Sequence, residues 1–164
     1  MKIIVAVSDD WGIGYKNQLL FSVPSDMKFF RETTKDSVVI MGRKTLESFP
    51  GKKPLKNRVN IVLTGNPEYE VEGAIVCGSI EEAISLANEY DKEIFVIGGE
   101  SIYRAFLPYC ESALVTKIHA STEADSFFPN LDENPDWELK NASETKEDNG
   151  YKFEFTEYVN KNVR

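Results

Sequence analysis

The sequence predicts an α/β fold: one domain with a mostly parallel central sheet of about eight strands, an antiparallel C-terminal edge and about four flanking helices. Three observations carry this expectation. The runs KIIVAV (2–7), SVVIM (37–41), VNIVLT (59–64) and EIFVI (93–97) are short, rich in β-branched residues and barely alternate. That is the mark of strands buried on both faces. Segments with helical spacing follow several of these runs. The closing run YKFEFTEY (151–158) instead alternates apolar and polar residues, as an antiparallel strand with one wet face does.

Taken in order, Lys2 to Val7 is the first strand. The next stretch, SDDWGIGYKNQLLFSV (8–23), has neither helical nor strand periodicity. Loops of that length are uncommon inside a domain unless they serve as lids or binding loops. Trp11, Ile13, Leu19, Leu20 and Phe21 make it too apolar for a free surface loop, and Gly12 and Gly14 let it bend. We therefore expect it to close over a ligand. Pro24-Ser25-Asp26 opens a helix that ends near Thr33-Thr34, because proline is tolerated in a first turn and an acid complements the dipole there. Ser37 to Met41 is a strand ended by Gly42, with a short helix from Arg43 toward Phe49. A loop at PGKKPLKN (50–57) leads into the strand Val59 to Thr64, which Gly65-Asn66-Pro67 breaks.

Ala74 to Val76 is a short strand. Ser79 and Glu82 have the Ser-x-x-Glu spacing of a capping box, and Ile80, Ala83, Ile84 and Ala87 follow at helical spacing. Glu93 to Ile97 is a buried strand, then Gly98-Gly99, then a helix from about Ser101 to Leu107. Ala113 to His119 is a strand, and Trp137 to Asn141 with Tyr151 to Tyr158 form an antiparallel pair. No repeat, linker or low-complexity segment divides residues 1–164, so a single domain is expected.

Composition removes several function classes. The chain has 164 residues, enough to bury a core without staples, and a net charge of -8 from 27 acids and 19 bases. An acidic surface repels phosphate backbones, so no nucleic-acid partner is expected, while a local basic pocket for a small anion stays open. Cys77 and Cys110 sit in no metal or redox spacing and read as free thiols in a reducing compartment. The start, MKIIVAVSDD, is too short an apolar run for a signal peptide, and no stretch is long enough to span a bilayer. A cytoplasmic protein, without a membrane partner and with nothing demanding more than a monomer, is expected. His119 is the single histidine, so a multi-histidine metal site is excluded, and no metal is expected.

Asp26 poses the chemical question. It stands at a helix start among Met27, Phe29 and Phe30, and a carboxylate finds neither water nor a partner in such a wall. Either it faces solvent or it is the centre of the chemistry. Two strand-to-helix junctions, VVIMGRKT (38–45) and IFVIGGES (94–101), share one character. Each puts glycine between an apolar strand and a helix start, where unpaired N–H groups and a close approach suit phosphate. Each alone is a tight turn; together they suggest a dinucleotide. Neither is a GxGxxG fingerprint or a Walker loop. Arg43 and Lys44 are either a solvated pair or an anion clamp that an extra ribose phosphate would justify. Arg58 either faces solvent or pairs with a ligand carboxylate. Thr116, in mid-strand, is by itself only a good β-former.

GIGYKNQLLFSVPSDMKFFRETT, VVIMGRKTLESF, RVNIVLT, VIGGESIY, LVTKIHA and EADSFFP occur in this order. Together they closely resemble the dihydrofolate reductase family, from Lys2 to about Tyr158. The resemblance implies reduction of 7,8-dihydrofolate to 5,6,7,8-tetrahydrofolate, with NADPH as cofactor and dihydrofolate as small-molecule substrate. It makes Asp26 the carboxylate that binds the pterin and supports its protonation, with Thr116 supporting that carboxylate. Val5, Ala6, Met27, Phe30, Phe49 and Leu55 match the apolar walls around the substrate, and Arg58 the arginine for its glutamate α-carboxylate. On the cofactor side the resemblance implies Ala6, Ile13 and Gly14; Gly42, Arg43, Lys44 and Thr45; and Leu63 and Thr64. It implies further Ile97, a cis peptide at Gly98-Gly99, and Glu100, Ser101, Ile102 and Tyr103.

Two positions depart from the pattern. The family usually has Pro-Trp where this chain has Leu20-Phe21, and Phe21 lacks the indole N–H donor. Ser101 stands where a basic residue often helps to bind the cofactor. Two other readings are a related NADPH-dependent pterin or pyrimidine reductase on the same fold, and a nucleotide-binding module without catalysis. The first would not need Arg58; the second would leave Asp26, Thr116 and the long loop without a common purpose.

Overall fold

A computed structural model describes residues 1–164. Its strands in chain order are β1 (Lys2–Val7), β2 (Gly12–Gly14), β3 (Val38–Gly42), β4 (Val59–Leu63), β5 (Ala74–Cys77), β6 (Ile94–Gly98), β7 (Ser112–Ile118), β8 (Ser126–Phe127), β9 (Trp137–Ala142), β10 (Lys146–Asp148) and β11 (Tyr151–Asn160). The helices are α1 (Pro24–Thr34), α2 (Arg43–Glu47), α3 (Ile80–Asn88) and α4 (Glu100–Phe106).

The main sheet runs β10-β11-β7-β1-β6-β3-β4-β5, with β9 paired to the far half of β11. Neighbours from β7 to β5 are parallel, and β11 joins β7 antiparallel, as the sequence predicts. β11 is not at the edge, however: β9 and the short β10 flank it on the side away from β7. Its ten residues outrun either neighbour, so both find donors and acceptors along it.

Period-two alternation explains why the central strands read as continuous apolar runs. Ile3, Val5, Val38, Ile40, Ile61 and Val96 face one layer, against Ala83 and Ala87 of α3 and Ile102 and Phe106 of α4. Ile4, Val39, Met41, Val62, Phe95 and Ile97 face the other, with Leu46 of α2 and the half-buried Phe29, Phe30, Phe49 and Leu55. Both layers exclude water, so the buried side chains of Asn60 and Thr116 in these strands are hydrogen-bonded within the protein.

The capping box forms with one displacement. Ser79 Oγ accepts the N–H of Glu82 at 3.1 Å, and Glu82 Oε2 accepts the N–H of Gly78, one residue before the cap, at 3.2 Å. Three details differ from expectation. The loop 8–23 contains β2, which pairs with β8 more than a hundred positions away. The loop 50–57 begins with a 3-10 turn at Pro50–Lys52. β10 and β11 close on Asn149-Gly150, whose φ values of 51° and 81° fit a tight hairpin turn.

Candidate active site

Helix α1 and the C-terminal ends of β1 and β7 enclose an apolar hollow. Ala6 and Val7 of β1, Ile118 of β7, Leu20, Phe21 and Val23 of the entering loop, and Met27 of α1 line it. Asp26 is the only ionisable side chain on that lining. It does not turn to solvent. Thr116 Oγ1 donates to Asp26 Oδ1 at 2.6 Å, across 90 positions of sequence. Burial, the larger effect, pushes the carboxyl of Asp26 above the usual carboxylate range, and the Thr116 bond pulls part of the way back. Thr116 lies in register between Ala6 of β1 and Phe155 of β11, which fixes where its hydroxyl sits.

Tyr103 of α4 is buried and donates to the carbonyl of Ile4 at 2.9 Å. Burial and the negative charge of Asp26 push its hydroxyl far up, so it stays a neutral donor. Val5 turns its side chain into the layer of Ile102 and Tyr103, so Ile4 and Ala6 are the β1 side chains on the α1 side. Ile4 was missing from the sequence-based candidates because a run apolar on both faces does not show which residue faces the site.

Phe30, Phe49, Leu55 and Ile97 share one apolar layer, as a common wall requires. Met27 remains 46% exposed at the rim. Leu55 is held by Asn60: the N–H of Leu55 donates to Asn60 Oδ1 at 3.0 Å, and Asn60 Nδ2 donates to the Leu55 carbonyl at 2.9 Å. A buried asparagine inside the run VNIVLT was a sequence signal for such a clamp.

Arg58 lies at the far end of α1. Its Nε donates to Thr34 Oγ1 at 3.0 Å, Nη1 to the Lys56 carbonyl at 2.6 Å and Nη2 to the Arg31 carbonyl at 2.8 Å. A guanidinium has five N–H donors, so one remains on each terminal nitrogen, a pair suited to a carboxylate. Arg58 is therefore anchored rather than swinging in solvent.

The two glycine junctions come together because β3 and β6 are neighbours. A Cβ on Gly42 would lie 3.1 Å from Ile102 Cγ1, and one on Gly99 would lie 3.6 Å from Thr45 Oγ1. Gly98 has φ +123° and would press a Cβ to 3.2 Å from the Tyr103 ring, so no other residue fits. The Gly98-Gly99 peptide is cis. Arg43 does not stand free: its Nη1 meets Glu47 Oε1 at 2.7 Å, while Lys44 and Ser101 are exposed. Leu63 packs under the first layer, and Thr64 Oγ1 accepts the N–H of Asn66 at 3.2 Å.

The long loop is pinned at both flanks. Asn17 Nδ2 donates to the Lys44 carbonyl at 3.0 Å, and the N–H of Lys16 to Asp125 Oδ2 at 2.9 Å. The carbonyl of Gly14 accepts the N–H of Asp125 at 3.0 Å, and Glu100 Oε1 accepts the N–H of Phe127 at 2.6 Å. Ile13 and Gly14 are thereby held between β1 and the segment before β8. Such long-range polar contacts leave no local sequence pattern. His119 is exposed between Asp9 and Glu154, each 3.9 Å away, outside the hollow.

The family model of dihydrofolate reductase matches residues 1–160. Dihydrofolate reductase of Bacillus subtilis (strain 168) is 37% identical over 164 residues, which cover 99% of this chain and 95% of that protein. The bifunctional dihydrofolate reductase-thymidylate synthase of Glycine max is 37% identical over 178 residues, and the match covers 96% of this chain but only 33% of that protein. The solved structure of dihydrofolate reductase from Enterococcus faecalis, complexed with NADP(H) and RAB-propyl, superposes with a TM-score of 0.86 at 35% identity, over 97% of this chain and 95% of that one. The chain belongs to the dihydrofolate reductase family.

Proposed function

We propose that this chain reduces 7,8-dihydrofolate to 5,6,7,8-tetrahydrofolate with NADPH. The observation that carries the reading is Asp26, half-buried in an apolar hollow, raised above the usual carboxylate range and held by Thr116 at 2.6 Å. A carboxyl there, its charged form penalised by burial, orients a pterin edge and favours the ring form that accepts hydride at C6 as a proton arrives at N5. Thr116 fixes which oxygen of Asp26 faces the ligand. Arg58 stands beside Thr34, eight positions along α1 from Asp26, roughly 12 Å at the helical rise of about 1.5 Å per residue. That separation suits a ligand with a heteroaromatic head at Asp26 and a carboxylate tail at Arg58. Phe30, Phe49 and Leu55 supply the apolar wall between.

The cradle fits the cofactor. Gly42, Gly98 and Gly99 leave backbone open where a Cβ would meet Ile102, Tyr103 or Thr45. Arg43, Lys44, Thr45 and Thr64 offer the adenosine-phosphate side its cation and hydroxyl partners, and Arg43 would share its charge with Glu47. NADPH supplies the hydride when bound. Ile13 and Gly14, in the pinned loop, cover that side and keep bulk water out. We read the chain as a cytoplasmic monomer. Burial pushes the Cys77 thiol up to about 11 and that of Cys110 up to about 12, so neither is poised to react. No helix is long and apolar enough to cross a membrane.

The test is loss of NADPH absorbance with dihydrofolate as the second substrate. Turnover is expected, and its absence would overturn the reading. Gel filtration at micromolar concentration tests the monomer.

A further inference from the structure

Helix α1 carries Asp26 in its first turn, and it lacks a cap of its own. Its N-cap residue, Val23, has no side-chain acceptor, and Pro24 has no N–H. The N–H groups of Asp26 and Met27 both reach the Val23 carbonyl, at 2.9 and 3.1 Å. One orphan donor remains in the first turn, the N–H of Ser25. It is met from 123 positions away: Asp148 Oδ2 accepts the Ser25 N–H at 2.8 Å and the Ser25 hydroxyl at 2.5 Å. The same hairpin tip holds Phe21 and Ser22, just before the helix. Asn149 Nδ2 donates to the Ser22 carbonyl at 2.8 Å, and the Tyr151 ring lies 5.0 Å from that of Phe21. Asn149 and Gly150, both at positive φ, make the tip a tight two-residue turn, so these contacts all come from one short hairpin end.

We propose that Asp148 is a positioning residue for the reaction: the β10–β11 hairpin supplies the missing N-cap of α1 and so sets where Asp26 stands against Thr116. Asp26 is the residue next to Ser25 and hangs on the turn that Asp148 closes. A carboxylate at that end also complements the helix dipole. The hydrogen bonds from Ser25 hold the carboxyl of Asp148 below the usual carboxylate range, so it is charged at neutral pH. Phe21, in one of the two departures from the family pattern, belongs to the same clamp. Tyr151 packs against its ring at a tilt of 52°.

The inference rests on the role given to Asp26 above, and one experiment separates the two. Wild type, Asp148→Ala and Asp148→Asn are assayed for dihydrofolate reduction, and NADPH binding is titrated by fluorescence. For the alanine variant kcat/KM for dihydrofolate is expected to fall about fivefold, the order of effect of a lost cap, with the NADPH Kd unchanged within twofold. Asparagine caps a helix as well as aspartate, so Asp148→Asn is expected to return to within twofold of wild type. Hydrogen exchange at the Ser25 amide should quicken in the alanine variant alone. An unaltered kcat/KM in Asp148→Ala, an equal loss toward NADPH, or no rescue by asparagine would overturn the positioning role. Inactive wild-type protein would instead overturn the role of Asp26.

Discussion

Asp26→Asn is expected to stabilise the free protein while removing its activity. The carboxylate of Asp26 is penalised by burial and partly compensated by Thr116, with burial the larger effect. Leaving a buried polar group short of partners costs on the order of 1–3 kcal/mol, and a hydrogen bond to a charged acceptor returns about 1.5–3 kcal/mol. With burial the larger of the two effects, the charged form carries a net penalty in the folded protein. An asparagine keeps an acceptor for the Thr116 hydroxyl at 2.6 Å and carries no charge to desolvate. Because the folded protein holds this carboxyl above its ordinary value, the favourable contribution of the protonated acid is fully present below the unfolded value near 3.8. It is lost as pH rises through the folded value. The advantage of the variant is therefore absent in acid and grows toward neutral pH. In a chain of this size each 1 kcal/mol gained at pH 7.5 reads as a Tm rise of about 2–4 °C. The assay is thermal unfolding of both proteins without ligand from pH 4 to pH 8, with NADPH oxidation measured on the same samples. Activity is expected to drop at least about 100-fold, the lower range for a lost acid–base group. A stability difference that does not change with pH, or a variant less stable at pH 7.5 than at pH 5 relative to wild type, would refute the reasoning.

Other consequences follow from separate contacts. Arg58→Leu removes the two free N–H donors left after three intrachain bonds, so KM for dihydrofolate should rise about 100-fold, the scale of a lost bidentate charge-assisted pair. NADPH affinity should change less than about twofold by fluorescence titration, and equal weakening of both ligands would count against the clamp. Gly12→Ala places a Cβ 2.9 Å from both Ala124 Cβ and Ser8 Oγ, and neither can retreat far. It should cost about 1–3 kcal/mol in urea unfolding and expose the Gly12–Gly14 amides to exchange. Wild-type stability would show that β2 is not seated there.

What the chain determines locally was legible in its residues. Unalternated β-branched runs, a Ser-x-x-Glu cap, glycine punctuation and a late switch to alternation suffice for parallel strands, helices and an antiparallel edge, because each depends on neighbours within a few positions. The two glycine junctions and the conflict at Asp26 were also legible in the residue pattern, while the roles of Thr116 and Arg58 came only through the family resemblance. Tertiary structure alone decided how they act. Taken by itself, Asp26 at a helix start would face solvent. It is turned inward by Thr116 from a strand 90 positions on, and its helix is capped by Asp148 from 123 positions away from Ser25. Arg43, which the sequence left between a solvated pair and an anion clamp, is paired with Glu47, and Ile4 rather than Val5 shares the face of Phe30. Periodicity marks burial but not which of two buried faces a residue takes, and a hydrogen bond between distant segments leaves no periodic trace. Only the sheet order, which puts β1 between β6 and β7, brings these groups to one edge.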